Sequence, residues 1–335
     1  MPSPSAYTSL IFLLQHVFSL LSLPINTFLI ILIITKSPPQ LGAYKYLMIF
    51  ISVFEISQSL LEVAIEPLIM TSGSSFVTVI PTADSIFSKD VLRVLNVVHW
   101  GYYGSSLAVF TVHFVYRYAA MNKKSLVSRS KIIIWFLPTL FIFCICFVVA
   151  FFAARPRDEF TEYISNYSTI FVVPSQRSQE LSSHSAREFY KGSLFCEQFS
   201  SFAVMIYFGW KCYHCLSVLI NCSTTSKTYS KLQSQLFYSL VIQTSIPLTF
   251  LIFPGTICVF LTVFNSKSTF MNGIMSISIA FYPVIDPLPT IFIVKSYRIA
   301  VFDLLRLGKI FKNRIYTTQT SLTNKEPTVT QFRNN

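Results

Sequence analysis

From Ile132 to Ala154 the chain runs 23 residues without a formal charge. A helical membrane span needs about 20 mostly apolar residues, whereas a transmembrane barrel strand needs about ten that alternate polar with apolar. This run is too long for the strand and does not alternate, so it crosses lipid as a helix. No soluble fold rescues it. Only 12% of the residues are charged, about half the roughly 25% of an ordinary soluble domain, while 53% are hydrophobic, 33 phenylalanines among them. A soluble enzyme, a secreted disulfide scaffold and a disordered chain are excluded. The seven cysteines fall at neither disulfide-framework nor zinc spacings.

Comparable runs cover residues 7–35, 44–70, 92–116, 199–220, 236–264 and 271–294, which with 132–154 makes seven. Nothing basic precedes the first run, it is about twice a signal-peptide h-region, and Lys36 follows it, so it reads as a span and not as a cleaved leader. The expected fold is an all-α membrane protein, a seven-transmembrane helix bundle over residues 1–312 with a flexible tail over 313–335. There is no convincing internal repeat. An odd span count argues against a symmetric inverted-repeat transporter.

Loop charge sets the orientation. With the N-terminus outside, 18 of the 26 basic residues are cytoplasmic: Lys36 and Lys45; Arg117, Lys123, Lys124, Arg129 and Lys131; Lys211, Lys227 and Lys231; and those from Lys295 onward. The outer segments hold eight basic and eight acidic residues, and the inner ones only two acids, Asp303 and Glu326. The expected topology is therefore N-terminus outside and C-terminus cytoplasmic. The basic pI of about 9.4 is a topological signal suited to anionic inner-leaflet lipid, not a nucleic-acid footprint.

Four acids lie inside spans. Glu55, Glu62 and Glu66 sit in the second at spacings of seven and four, which places them on one helical face. Each charge near mid-bilayer costs on the order of 2.5–3.5 kcal/mol even on the gentle insertion scale, so that face should look into the bundle. Glu55 is about 15 Å deep counting from Lys45, and Asp286 about 13.5 Å deep counting back from Lys295, at 1.5 Å per residue. Two acids at matched depth can share a proton or hold a cation; each can equally be protonated and bonded to neighbouring polar groups. His16, His99, His113 and His214 lie at scattered depths, which disfavours an intramembrane metal enzyme, and neither a metal nor a cofactor is expected. Pro247 and Pro254 interrupt the sixth run, and Pro283, Pro287 and Pro289 the seventh, marking both as bendable.

Four stretches in order look familiar: Leu41-Gly42-Ala43-Tyr44-Lys45-Tyr46-Leu47-Met48, His113-Phe114-Val115-Tyr116-Arg117-Tyr118, Gln233-Ser234-Gln235-Leu236-Phe237 running on to Gln243-Thr244-Ser245-Ile246-Pro247, and Tyr282-Pro283-Val284-Ile285-Asp286-Pro287-Leu288-Pro289 followed by Tyr297-Arg298. Over nearly its whole length the chain resembles the nematode seven-transmembrane chemoreceptors of the Str group (serpentine receptor class r), with the neighbouring Srj group a close second. The resemblance implies a G-protein-coupled chemosensory receptor for odorants or other small environmental molecules. It implies signalling through a heterotrimeric G protein at the plasma membrane, in the sensory cilium of chemosensory neurons. A ligand-gated ion channel or a polytopic transporter is the alternative.

The resemblance also assigns roles. Tyr116, Arg117 and Tyr118 stand where rhodopsin-like receptors carry Asp-Arg-Tyr, and Arg117 is the residue expected to meet the G protein; a snorkelling, orientation-setting arginine is the plain alternative. Tyr116 replaces the acid, so no Arg–acid lock is implied. Asp286-Pro287 resembles the start of Asn/Asp-Pro-x-x-Tyr, but Thr290 stands in place of the tyrosine. The third span has no cysteine to tie to the second outer loop, and Cys196 has no obvious partner.

The second outer loop, about 155–198, carries the sequon Asn166-Tyr167-Ser168 on the lumenal side, a glycosylation site; Asn221-Cys222-Ser223 falls in the cytosol and should stay bare. Residues 297–312 suit a juxtamembrane helix with Arg298, Arg306, Lys309 and Lys312 toward anionic lipid. Beyond it, Thr317, Thr318, Thr320, Ser321 and Thr323 are phosphorylation candidates for arrestin-type binding. By depth, Glu62, Glu66, His99, Trp100, Tyr102 and Tyr103 are expected to line a ligand pocket near the outer face, an aromatic lining suited to a small apolar volatile.

Overall fold

The computed structural model describes residues 6–72, 75–81, 85–122, 127, 129–153, 170–173, 181–221, 227–264, 266 and 268–304. Seven long helical segments follow one another. They are α1 (Ala6–Lys36), α2 (Tyr44–Ile65), α3 (Lys89–Met121), α4 (Leu137–Ala153, entered by a 3-10 stretch Arg129–Trp135) and α5 (Leu181–Asn221). The sixth is α6 (Lys227–Pro247) continued through a π turn, Leu248–Ile252, into α7 (Phe253–Val263). The seventh is α8 (Thr269–Ile285) continued into α9 (Pro287–Ile293), and residues 295–304 form α10. Among the described residues, six segments are long and apolar enough to cross a membrane by composition alone, and α3 is not one of them.

The reason lies in which residues face inward. In α1 the buried positions include Gln15, Ser19, Ser22 and Asn26, one helical stripe, while Leu13, Leu20 and Ile34 are exposed. In α2 the buried stripe includes Ser52, Glu55, Gln58, Ser59 and Glu62; in α3 it includes Asn96, His99, Ser106, His113 and Arg117. Lipid replaces water outside, so the apolar residues go out and the polar ones must find each other within. Helix α3 is buried over much of its length and carries the most polar stripe, which lowers its overall hydropathy.

Helix α2 ends at Ile65, five residues short of the expected end of the second span at Met70. Pro67 offers no N–H, and a residue before proline is pushed out of the right-handed helical region. Glu66 leaves the helix in the left-handed region that commonly ends helices, φ 46° and ψ 58°, with its N–H bonded back to the Glu62 carbonyl. The chain then forms β1 (Leu68–Ser72) and β2 (Ser75–Val79), antiparallel with Met70 opposite Val77. Strand β3 (Ile170–Val173), from the long fourth-to-fifth connection, pairs antiparallel with β2, Val77 opposite Val172. The sheet, order β1-β2-β3, is an element absent from the sequence reading. It seats Leu68, Ile69, Val79 and Ile80, all buried, over the end of the bundle, and the Ile69 N–H donates to Ser276 Oγ at 2.9 Å. This end is called the sheet end; the opposite one, where α10 leaves, is the tail end.

Other boundaries move too. Ser88 caps α3, its hydroxyl accepting from the Val91 N–H, so the helix begins before 92, and at its other end it runs past 116 to Met121. Helix α5 begins at Leu181, inside the stretch expected as loop, and α6 begins at Lys227 instead of 236. The tail end is sealed by Leu29, Ile33, Leu47, Leu236, Val294 and Tyr297. The Tyr297 hydroxyl is 2.7 Å from Ser37 Oγ, fixing the start of α10 to the end of α1, and burial pushes that phenol up to about 12. The glycosylation sequon at Asn166 and the tail residues Thr317, Thr318, Thr320, Ser321 and Thr323 lie outside the described residues, as do Arg306, Lys309 and Lys312.

Candidate functional site

The stripes of α2 and α3 meet along the bundle axis, joined by polar residues of α1, α6, α8 and α9. The result is a buried polar column. At the tail end, Arg117 is only 3% exposed. Its Nη2 donates to the Gln233 carbonyl at 2.9 Å and to Gln233 Oε1 at 2.7 Å, tying α3 to α6. The guanidinium lies over the Tyr44 ring, 4.9 Å from its centroid. Tyr44 in turn stacks on Tyr116 and bonds His113 Nδ1 at 3.2 Å, and Tyr116 meets Trp135 edge-on. Tyr118 points elsewhere, against Phe208 of α5. Arg117 does not reach out to the interface; its side chain is used inside the bundle.

A cavity of about 10 Å³, about the room of one water molecule, separates this cluster from the next. Tyr44 and His113 line one side of it, and Ser239, Gln243 and Thr290 the other. Gln243 Nε2 donates to the Asp286 carbonyl at 3.0 Å and to Asp286 Oδ2 at 3.1 Å, while Thr290 Oγ1 donates to Gln243 Oε1 and contacts Ser239 Oγ, both at 3.0 Å. Asp286 and Glu55, each 1% exposed, both belong to this part of the column, and Glu55 Oε1 and Asp286 Oδ1 have no hydrogen-bond partner among the described residues.

Pro287 explains a further contact. Its missing N–H would have bonded the carbonyl four residues back, that of Pro283. That carbonyl is instead taken by Asn26 Nδ2 at 2.9 Å and Ser22 Oγ at 3.3 Å, and Ser59 Oγ bonds Ser22 Oγ at 2.8 Å. The kink in the seventh segment is thus bonded to α1, and through Ser22 to α2.

Toward the sheet end, Tyr282 donates its hydroxyl to Gln58 Oε1. One turn further, His99 Nε2 and Glu62 Oε1 are 2.5 Å apart, with both side chains at 1% exposure or less. Trp100 meets His99 edge-on and Tyr103 likewise. The Tyr103 hydroxyl donates to the Leu251 carbonyl at 3.2 Å, within the π turn of the sixth segment. Gly255 permits this approach, because a Cβ there would collide with the Tyr103 hydroxyl.

Of the six pocket candidates, Glu62, His99, Trp100 and Tyr103 are therefore linked. Two are not. Glu66 sits at the left-handed end of α2, half-exposed, with His16 Nε2 3.4 Å away. Tyr102 packs instead against Phe54 and Phe143. Sequence reasoning missed the amides: Asn26, Gln58, Asn96, Gln233 and Gln243 are all buried members of the column. Their spacing was the available signal, since Glu55, Gln58 and Glu62 recur at three and four residues, as do Asn96, His99 and Tyr103.

Comparison with known proteins accords with this architecture. Residues 11–302 match the model of the family described as serpentine type 7TM GPCR chemoreceptor Str. The chain is 33% identical to the G-protein coupled receptor str-217 of Caenorhabditis elegans, over 87% of this chain and 89% of the relative. It is 28% identical to serpentine receptor class r-10 of the same organism, over 79% and 82% of the two chains. The G-protein coupled receptor str-33, also of C. elegans, is 24% identical over 85% and 88%. A seven-segment bundle with a buried polar axis, matched over most of its length, belongs to the Str family of serpentine seven-transmembrane chemoreceptors and is a G-protein-coupled chemosensory receptor.

Proposed function

We propose that the structure is the uncoupled state of this receptor, with the sheet end outside the cell and the tail end against the G protein. The observation that carries this reading is the grip of Gln233 on Arg117. An arginine able to bond carbonyls at the end of a G-protein helix is here occupied by α6. Parting α3 from α6 releases it. Ligand binding favours the parted state by differential affinity, without covalent chemistry.

The ligand site is assigned to the sheet-end half, around Glu62, His99, Trp100 and Tyr103. Tyr103 bonds the π turn of the sixth segment, so a ligand that moves Tyr103 acts directly on the helix holding Gln233. The Glu55–Asp286 pair beside the Pro287 kink is assigned as the hinge, where a shared proton or a bound cation sets the balance of states. Tyr116 and Tyr118 brace Arg117's helix. The plasma membrane of a sensory cilium, an arrestin contact at the tail threonines and anionic lipid against residues 297–312 complete the reading.

Two experiments test it. With one epitope at the N-terminus and another after Asn335, antibody on intact cells should reach only the first; the reverse pattern overturns the orientation. Arg117→Ala should reach the surface and fail to activate G protein, and normal activation by that variant would refute the coupling role.

A further inference from the structure

Beyond the hinge and the arginine, the sheet-end half holds buried polar atoms without a partner among the described residues. Asn96 is fully buried, and neither its Oδ1 nor its Nδ2 has a partner among the described residues. The same is true of Gln58 Nε2, Glu62 Oε2 and His99 Nδ1, all on side chains at least 98% buried. These atoms belong to four residues on the facing stripes of α2 and α3, which the Glu62–His99 contact brings together. Asn96 lies one turn from His99 toward the sheet, and Gln58 one turn from Glu62 in the other direction, a column about 10 Å long at 1.5 Å per residue. Native interiors pair almost all buried polar groups, so a cluster of orphans calls for an occupant.

We infer that this column takes a small neutral ligand bearing a group that both donates and accepts a hydrogen bond, a hydroxyl or a primary amide, at Asn96 and the Glu62–His99 pair. The inference rests on the ligand site assigned above and adds its chemistry. The unmet atoms include donors, Asn96 Nδ2 and Gln58 Nε2, and acceptors, Asn96 Oδ1 and Glu62 Oε2. A hydrocarbon would leave all of them unpaired. An ether or a simple carbonyl answers only the donors. A cation answers the acceptors and faces the two amide N–H groups with like polarity. A carboxylate would meet the Glu62 carboxyl. A hydroxyl or amide answers both kinds at once, and specificity for such groups is steep because the analogue lacking them leaves buried partners stranded. The apolar remainder of the ligand packs on Trp100 and Tyr103, whose rings already meet edge-on.

The test uses the full-length receptor in detergent, followed by thermal unfolding. Asn96→Leu removes both orphaned atoms at similar volume, so the ligand-free variant should melt higher than the wild type. Hexan-1-ol and hexanamide should each raise the wild-type melting temperature in a saturable way, as binding to the native state requires. Methyl pentyl ether and heptane should not, and Asn96→Leu should abolish the protection; Asn96→Ala, a smaller change, should abolish it too. Should Asn96→Leu melt lower or unchanged, Asn96 is structural and the location of the site is wrong. Should Asn96→Leu melt higher while ether and heptane protect the wild type as well as the alcohol, the location stands and the ligand class is wrong. Absence of protection by both hexanol and hexanamide overturns the ligand class as well.

Discussion

Replacing Gln233 by leucine removes one of the two bonds that hold Arg117, the 2.7 Å contact to Oε1, and leaves the 2.9 Å bond to the backbone carbonyl. A hydrogen bond to a charged group is worth about 1.5–3 kcal/mol. That contact exists only while α3 and α6 are together, so its loss comes entirely off the uncoupled state. At about 1.4 kcal/mol per factor of ten, the equilibrium moves roughly ten- to a hundred-fold toward the coupled state. A receptor about 1% coupled at rest would become roughly 10–50% coupled without ligand. Gln233→Glu acts the other way: the carboxylate makes a charge-assisted pair with the guanidinium, and resting activity should fall. The assay is ligand-free G-protein dissociation in cells, normalised to surface receptor. The reasoning is refuted if Gln233→Leu, present at the surface in wild-type amount, keeps wild-type resting activity, or if both variants shift activity in the same direction.

Three further outcomes follow from single contacts. Asn26→Ala strips the Pro283 carbonyl of its 2.9 Å donor and leaves the weaker Ser22 bond, so the solubilised protein should lose about 1–2 kcal/mol and melt lower; an unchanged melting temperature would contradict the bonded kink. Gly255→Ala places a methyl against the Tyr103 hydroxyl and should blunt agonist response, and adding Tyr103→Phe, which removes that hydroxyl, should restore part of it. No recovery would mean the clash is not the cause. Asn166→Gln should abolish a glycosidase-sensitive gel shift that Asn221→Gln leaves intact, and the opposite pattern would reverse the assigned topology.

What was legible in the sequence was what costs most in lipid. Length and apolarity marked the segments, though the third falls short of the apolarity of the other six, and formal charge singled out Arg117, Glu55 and Asp286, because an unpaired charge in a bilayer has few resolutions. Uncharged amides cost less and stand out less, so Asn26, Gln58 and Asn96 went unmarked and Gln233 and Gln243 stood out only as members of a familiar stretch, although each completes the column. Depth alone grouped Tyr102 and Glu66 with Glu62 and His99, although their printed contacts lie with other residues. Successive helical residues are turned by about 100°, so Tyr102 and Tyr103 share a level and face different neighbours. The sheet was hidden for a different reason: Leu68–Ser72 continues an apolar run, and only Pro67, with its missing N–H, marks where the helix must give way.

The polar stripe of α3 has a consequence for how the protein is made. A segment enters the bilayer on the strength of its own hydropathy, and Lys89–Met121 falls below the level that its six companions reach. Arg93, His99, His113 and Arg117 each oppose its partition as a lone helix. It becomes acceptable to lipid only once partners such as Glu62, Tyr44 and Gln233 are at hand, and Gln233 is synthesised more than a hundred residues later. Insertion of the third segment is therefore a group event that draws on helices before and after it. Changes anywhere along the column then act on biogenesis as well as on signalling, so the amount of receptor delivered to the surface has to be measured before any loss of response is read as a loss of recognition.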